Sequence, residues 1–185
     1  MMYHSFSLSC FGIIRDYTKE YMDKFSGENI YIKNIPISDD IRTMLDNELA
    51  DYGITYPILN FLCFKRKNKK NTQVHIDYSS STDEIHASLV IPVEGCAGTG
   101  MYWMSGQHKV VTKKTDSGGT YLSIRWLQVP ILIDEVEINS EPMLCRVDVP
   151  HSAYSNDLGD YRTILSIRFA SNPSIEELVK LRFNK

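Results

Sequence analysis

Apolar residues recur at helical spacing in only a few stretches of this chain. In many more they stand at every second position or in short unbroken runs, the signature of strands. Ser5 to Ile14 alternates at first and predicts an early strand; Asp16 to Phe25 follows as a short helix, broken at Gly27. Asn29 to Ile35 alternates again and stops at Pro36. The strongest helical pattern comes next: Ile41, Met44, Leu45, Glu48 and Leu49 share one face. Ser38 is placed to cap it, Asp39 and Asp40 suit its first turn, and Gly53 suits its end.

From Pro57 the pattern is almost entirely of strands. Pro57–Phe64 is apolar, and Lys65–Lys70, with five basic residues in six, reads as a solvated loop. Strands are then predicted over Thr72–Tyr78, Glu84–Val93, Met101–Met104, Gly106–Lys113, Thr120–Leu127, Ile131–Ile138, Met143–Val149 and Tyr161–Phe169. Ser79–Thr82 and Ser152–Asp160 are polar loops; Gly95, Gly98 and Gly100 make a turn, and Asp116–Gly119 closes a hairpin. After Pro173, Ser174 and Glu177 stand in capping-box spacing before a short final helix. Nine or ten short strands with glycine turns and a few helices predict a mainly β protein, a sandwich or barrel of jelly-roll type.

Composition narrows the classes. A chain of 185 residues suits a single domain over 1–185 with a real core. The net charge of −3 argues against a surface that coats nucleic acid. Cys10, Cys63, Cys96 and Cys145 are scattered, with no Cys-x-x-Cys pair, and read as reduced buried thiols. The first fourteen residues lack a basic start and a long apolar run, and no stretch has the roughly 20 apolar residues of a membrane helix. A cytoplasmic protein without membrane contact is the expectation.

The chemistry centres on Val74-His75-Ile76-Asp77. On a strand His75 and Asp77 point the same way. An imidazole and a carboxylate side by side are two thirds of a facial metal triad, and His151, 74 residues after Asp77, offers the third ligand. Two His and one carboxylate leave coordination positions open, the arrangement of non-haem Fe(II) oxygenases. On Tyr161–Phe169, Thr163, Leu165, Ile167 and Phe169 form an apolar face, while Arg162, Ile164, Ser166 and Arg168 form the other. Turned inward, Arg162 would hold a carboxylate through its guanidinium fork.

The series His75-x-Asp77, Ala87–Gly95 running into Met101–Met104, then Val149-Pro150-His151 and Arg162 resembles the Fe(II)/2-oxoglutarate-dependent dioxygenase superfamily. Its small prolyl and aspartyl/asparaginyl hydroxylase-like members, some phage-encoded, are nearest in pattern. The resemblance implies a double-stranded β-helix core over residues 57–170, with residues 1–56 packed on it as strands and helices. It implies Fe(II) held by His75, Asp77 and His151, and 2-oxoglutarate held at its far carboxylate by Arg162. Arg168 resembles the second arginine of the alkylation-repair demethylases. The usual tyrosine or asparagine co-substrate contacts are not evident, and Asn60 and Ser166 are the nearest candidates. The activity implied is hydroxylation of a C–H bond of a protein side chain, amino acid or small molecule, with molecular oxygen and 2-oxoglutarate as co-substrates.

Tyr102, Trp103 and Trp126 are expected mainly as packing rather than pocket walls. His86 is expected at the surface or hydrogen-bonded, with a role beside the metal as the lesser reading. Three alternatives remain. One is a non-catalytic jelly-roll binding or structural module. The second, less favoured, is an oxygenase directed to nucleic acid by the basic loop. The third is a cupin-like isomerase or lyase using zinc or manganese.

Overall fold

The structure, a computed structural model, describes all residues except 6, 28, 68–71, 80–82, 115–119, 139, 157–160 and 181–185, and the side chains of 79, 83 and 84 are left aside. The chain runs β1 (Tyr3–Ser5), α1 (Phe11–Met22), β2 (Asn29–Lys33), α2 (Asp39–Asp51), β3 (Ile58–Lys67), β4 (His75–Ser79), β5 (Asp83–Glu84) and β6 (Ala87–Glu94). It continues through β7 (Thr99–Ser105), β8 (His108–Lys114), β9 (Thr120–Trp126), β10 (Ile131–Glu137), β11 (Met143–Arg146), β12 (His151–Ser155), β13 (Tyr161–Phe169) and α3 (Ile175–Lys180).

The strands form two antiparallel sheets, the jelly-roll arrangement of a mainly β protein. One has the order β1-β11-β6-β13-β3-β2; the other runs β10-β7-β12-β4-β9-β8, with β5 paired to β4. Both N-terminal strands join the first sheet: β1 pairs with β11 and β2 with β3.

The first sheet is covered on both faces, and its alternation explains how. Phe61, Cys63, Leu89, Ile91, Leu165 and Ile167 point to the outer face, where Ile14 and Met22 of α1, Ile41, Leu45 and Leu49 of α2, and Leu178 of α3 close over them. A second cluster, built on Val90, Met101, Trp103, Cys145 and Val147, fills one part of the space between the sheets. The other part is the cavity described below.

Most predicted elements are present, with four corrections. Ser152–Ser155 are not loop: with His151 they form β12, paired to β7, because Ser152 and Ser155 bury their small side chains, and residues 157–160 lie outside the description. Ser5–Ile14 is not one strand. It is β1 ending at Ser5 and a helix starting at Phe11, because Ile14, Thr18 and Met22 bury at four-residue spacing. The early end of the basic run is not a loop: Lys65, Arg66 and Lys67 continue β3, and residues 68–70 lie outside the description. The strands number thirteen among the described residues rather than nine or ten. The 116–119 turn lies outside the described residues. Helix α2 begins as expected, Ser38 Oγ accepting from the Ile41 N–H, and Gly53 follows it at φ +81°. Ser174 and Glu177 form the reciprocal capping pair before α3.

Candidate metal centre and cavity

Between the sheets lies a cavity of about 430 Å³. Its floor is the inner face of the first sheet: Asn60, Leu62, Phe64 and Arg66 of β3 beside Arg162, Ile164, Ser166 and Arg168 of β13. Its opposite wall carries His75 and Asp77 of β4, Tyr121 of β9, and His151 and Ala153 of β12.

The triad assembles from pairing and pleat. His75 and Asp77 share a face of β4. His151, first residue of β12, is the direct cross-strand partner of His75. Their rings lie 4.5 Å apart between centroids. Asp77 Oδ1 stands 3.4 Å from His75 Nε2 and 3.8 Å from His151 Nε2. All three donor atoms lie within 4.8 Å of one another. Two donors about 2.1 Å from one ion and at right angles are about 3 Å apart, so small adjustments suffice to close the set.

The surroundings settle which atoms are free to coordinate. His75 Nδ1 lies 2.9 Å from the Gln73 carbonyl, and His151 Nδ1 lies 2.9 Å from the Val149 carbonyl. With Nδ1–H donating to the backbone, each ring turns an Nε2 lone pair toward Asp77. Burial pushes the His151 imidazole down to about 4, with His75 adding to the effect against the opposing pull of Asp77, so His151 is neutral at physiological pH. Burial alone would push the Asp77 carboxyl up. The Arg168 charge outweighs it and holds Asp77 ionised. Arg168 Nη2 donates to Asp77 Oδ2 at 2.9 Å, leaving Oδ1 for the imidazole side.

The other sequence candidates also line this space. Arg162 is 8% exposed and lines the cavity from the second residue of β13. Ser166 is buried and donates to Ser88 Oγ at 3.3 Å. Asn60 is the cross-strand partner of Arg168. Asn60 Oδ1 and Arg168 Nε are both buried without a hydrogen-bond partner. Such orphaned atoms in a polar cavity mark a place for a ligand or water.

Some residues fall elsewhere. Trp103 is fully buried in the second core cluster, its Nε1 donating to the Arg146 carbonyl at 2.7 Å. Tyr102 stacks on Tyr154, and Trp126 meets His108 edge-on. None of the three aromatics lines the cavity. His86 stands outside it too, its N–H donating to Asn172. The aromatic walls are instead Tyr31, Phe64, Tyr78 and Tyr121. Sequence reasoning passed over Tyr31 and Tyr121. The register that sets Asp77 opposite Tyr121, and Tyr31 opposite Phe64, is the signal that brings them in. Arg66 was missed because its neighbours in sequence look like a loop.

No family model matches the sequence, and no curated protein does. Solved structures do share the fold. HygX from Streptomyces hygroscopicus, with nickel and 2-oxoglutarate bound, superposes with a TM-score of 0.52 at 13% identity, over 88% of this chain and 78% of that one. EvdMO1 superposes with a TM-score of 0.52 at 15% identity, over 94% of this chain. The chain spans only about half of EvdMO1, 48% of its length. At such identities the likeness is one of fold. This chain shares its jelly roll with these proteins, and among its described residues it carries a His-Asp-His set able to hold a metal.

Proposed function

We propose that this chain is an Fe(II)/2-oxoglutarate-dependent oxygenase that hydroxylates a C–H bond of a protein side chain, an amino acid or a small molecule. One observation carries the reading. Two imidazoles and a carboxylate converge in a cavity whose floor carries arginines at both ends of β13. The residues fit the group on their own chemistry. The donors are two imidazole nitrogens and an ionised carboxylate, a set suited to Fe(II). The orphaned Asn60 and Arg168 atoms beside them await a polar ligand.

In this reading His75, Asp77 and His151 hold the iron, which when bound supplies oxygen activation coupled to decarboxylation of the keto acid to succinate. The protein's own contribution is positional. The Gln73 and Val149 carbonyls fix both ring orientations. Arg168 keeps Asp77 ionised and turns one oxygen away from the metal side. Arg162 neutralises the far carboxylate of 2-oxoglutarate through a charge-assisted fork. Ser166 and Asn60 add polar contacts along the co-substrate, while Val90, Met101, Val147 and Ile164 exclude water. The four separate buried thiols suit a reducing cytoplasmic setting.

The reading with nucleic acid as substrate gains less support. Lys65 lies 4.0 Å from Asp23, and Arg66 turns into the cavity, so two of the basic residues are not presented to a phosphate backbone. The test is succinate formation from 2-oxoglutarate with Fe(II) and oxygen, alone and with pools of amino acids, peptides and metabolites. Turnover in the wild type and its loss in Asp77→Ala are expected. Equal succinate from both proteins would refute the assignment.

A further inference from the structure

Arg66 and Arg162 face each other across the β3–β13 ladder. Both side chains line the cavity, at the end of β13 away from Arg168. Directly opposed residues on one sheet face have Cβ atoms about 5 Å apart, and like charges there destabilise the pair. Among the described residues the one carboxylate whose charge is felt here is Asp77, which favours the Arg66 charge but makes no ion pair with either arginine. The one acid lining the cavity is Asp77, and Arg168 already holds it. The Arg66 guanidinium lies 5.3 Å from the centre of the Phe64 ring, which steadies the group without neutralising it. Burial works against the charge of both, and for Arg162 the neighbouring Arg66 adds to it.

Two opposed cations, one buried and one half-buried, with no ion-pair partner of their own among the described residues, are an expensive arrangement for the protein alone. They become favourable once an oxyanion sits between them. A carboxylate has about four acceptor sites, enough for two guanidinium forks. A single arginine would leave half of those sites to water.

We propose that Arg66 and Arg162 form a two-guanidinium clamp on one carboxylate, the far carboxylate of the keto-acid co-substrate. Arg66 is thus a positioning residue that sets selectivity for a dicarboxylic keto acid over a monocarboxylic one. The inference rests on the oxygenase reading above for the identity of the keto acid. The same oxyanion chemistry would also suit a carboxylate or phosphate on the substrate to be hydroxylated, and the experiment separates the two sources.

Fe(II)-loaded protein is titrated without oxygen with 2-oxoglutarate and with 2-oxopentanoate, which carries a methyl group in place of the far carboxylate. The wild type should bind 2-oxoglutarate far more tightly. Arg66→Gln and Arg162→Gln should each cut that preference by about tenfold or more, as expected for a lost charged hydrogen bond. Neither should change 2-oxopentanoate affinity, a pattern that a merely structural defect would not give. Arg66→Lys, which keeps the charge, should restore part of the preference.

Wild-type preference in Arg66→Gln, with the preference lost in Arg162→Gln, overturns the clamp and leaves Arg66 to an anionic substrate. A wild type that binds neither keto acid refutes the oxygenase reading instead. The clamp is then decided by glutarate titrated into metal-free protein. Binding lost in both Gln variants supports the clamp, and no binding, or binding indifferent to Arg66, overturns it.

Discussion

Asp77 is the residue on which the site turns. It gives one oxygen to the imidazole side and the other to Arg168, at 3.4 Å from His75 and 2.9 Å from Arg168. Arg168→Met would leave a buried carboxylate facing two imidazoles with no permanent cation. We predict a loss of about 3 kcal/mol in urea unfolding of the metal-free protein. Added divalent metal should recover much of it, because an ion replaces the missing charge. The same loss with and without metal would show that Arg168 acts on packing alone. His75 and Asp77 were legible as a pair in the sequence because strand period two puts them on one face. His151 was offered there as the third ligand, but its place beside them was not, since pairing between β12 and β4 cannot be read from either segment.

At the scale of elements, β13 was read face by face and its two faces separate as expected. Leu165 and Ile167 go to the helix-covered core, and Arg162, Ile164, Ser166 and Arg168 to the cavity. The alternation alone could not say that the polar face looks inward; the second sheet decides that. Helix α1 was misread for a different reason. Its start is fixed from outside: the Glu48 carboxylate of α2 accepts from the backbone N–H groups of Ser9 at 2.6 Å and Cys10 at 2.7 Å. A cap supplied from nearly forty residues away leaves no local trace. Glu48, the one polar residue on the inner face of α2, was the available clue. Glu48→Ala should lower unfolding stability by about 2 kcal/mol and leave metal affinity unchanged.

The β6–β7 turn makes a second prediction at this scale. Gly95 sits at φ +63°, and a Cβ there would lie 2.0 Å from the Tyr161 carbonyl oxygen. Gly95→Ala must therefore displace the start of β13 and Arg162 with it. Keto-acid affinity should fall at least about tenfold, and thermal stability should fall as well. Metal affinity should hold, because the triad lies on the other sheet. Unchanged keto-acid binding would argue against an anchor at the head of β13.

At the scale of the molecule, a sheet is covered by helices on one side and by a second sheet on the other, and among the described residues no helix is long and apolar enough to cross a membrane. All four cysteines are free and buried. Burial pushes the Cys63 thiol up to about 12, and burial with the Glu48 charge does the same for Cys10. An unfolded thiol ionises near 9 while these stay protonated, so their contribution is present below about pH 9 and is lost as pH rises toward 12. Stability measured by urea unfolding should fall across that range. Substituting Cys63→Ala should flatten the fall, although it lowers stability at pH 7 by opening space in the core.

The central claim is that one cavity holds iron on His75, Asp77 and His151 and seats 2-oxoglutarate beside it. The most direct measurement is the visible spectrum of the protein with Fe(II), without oxygen, as 2-oxoglutarate is added. A weak charge-transfer band that saturates near one equivalent, and is absent in folded Asp77→Ala, is the predicted result. A folded wild-type protein that gives no band, or a band that survives Asp77→Ala, would contradict it.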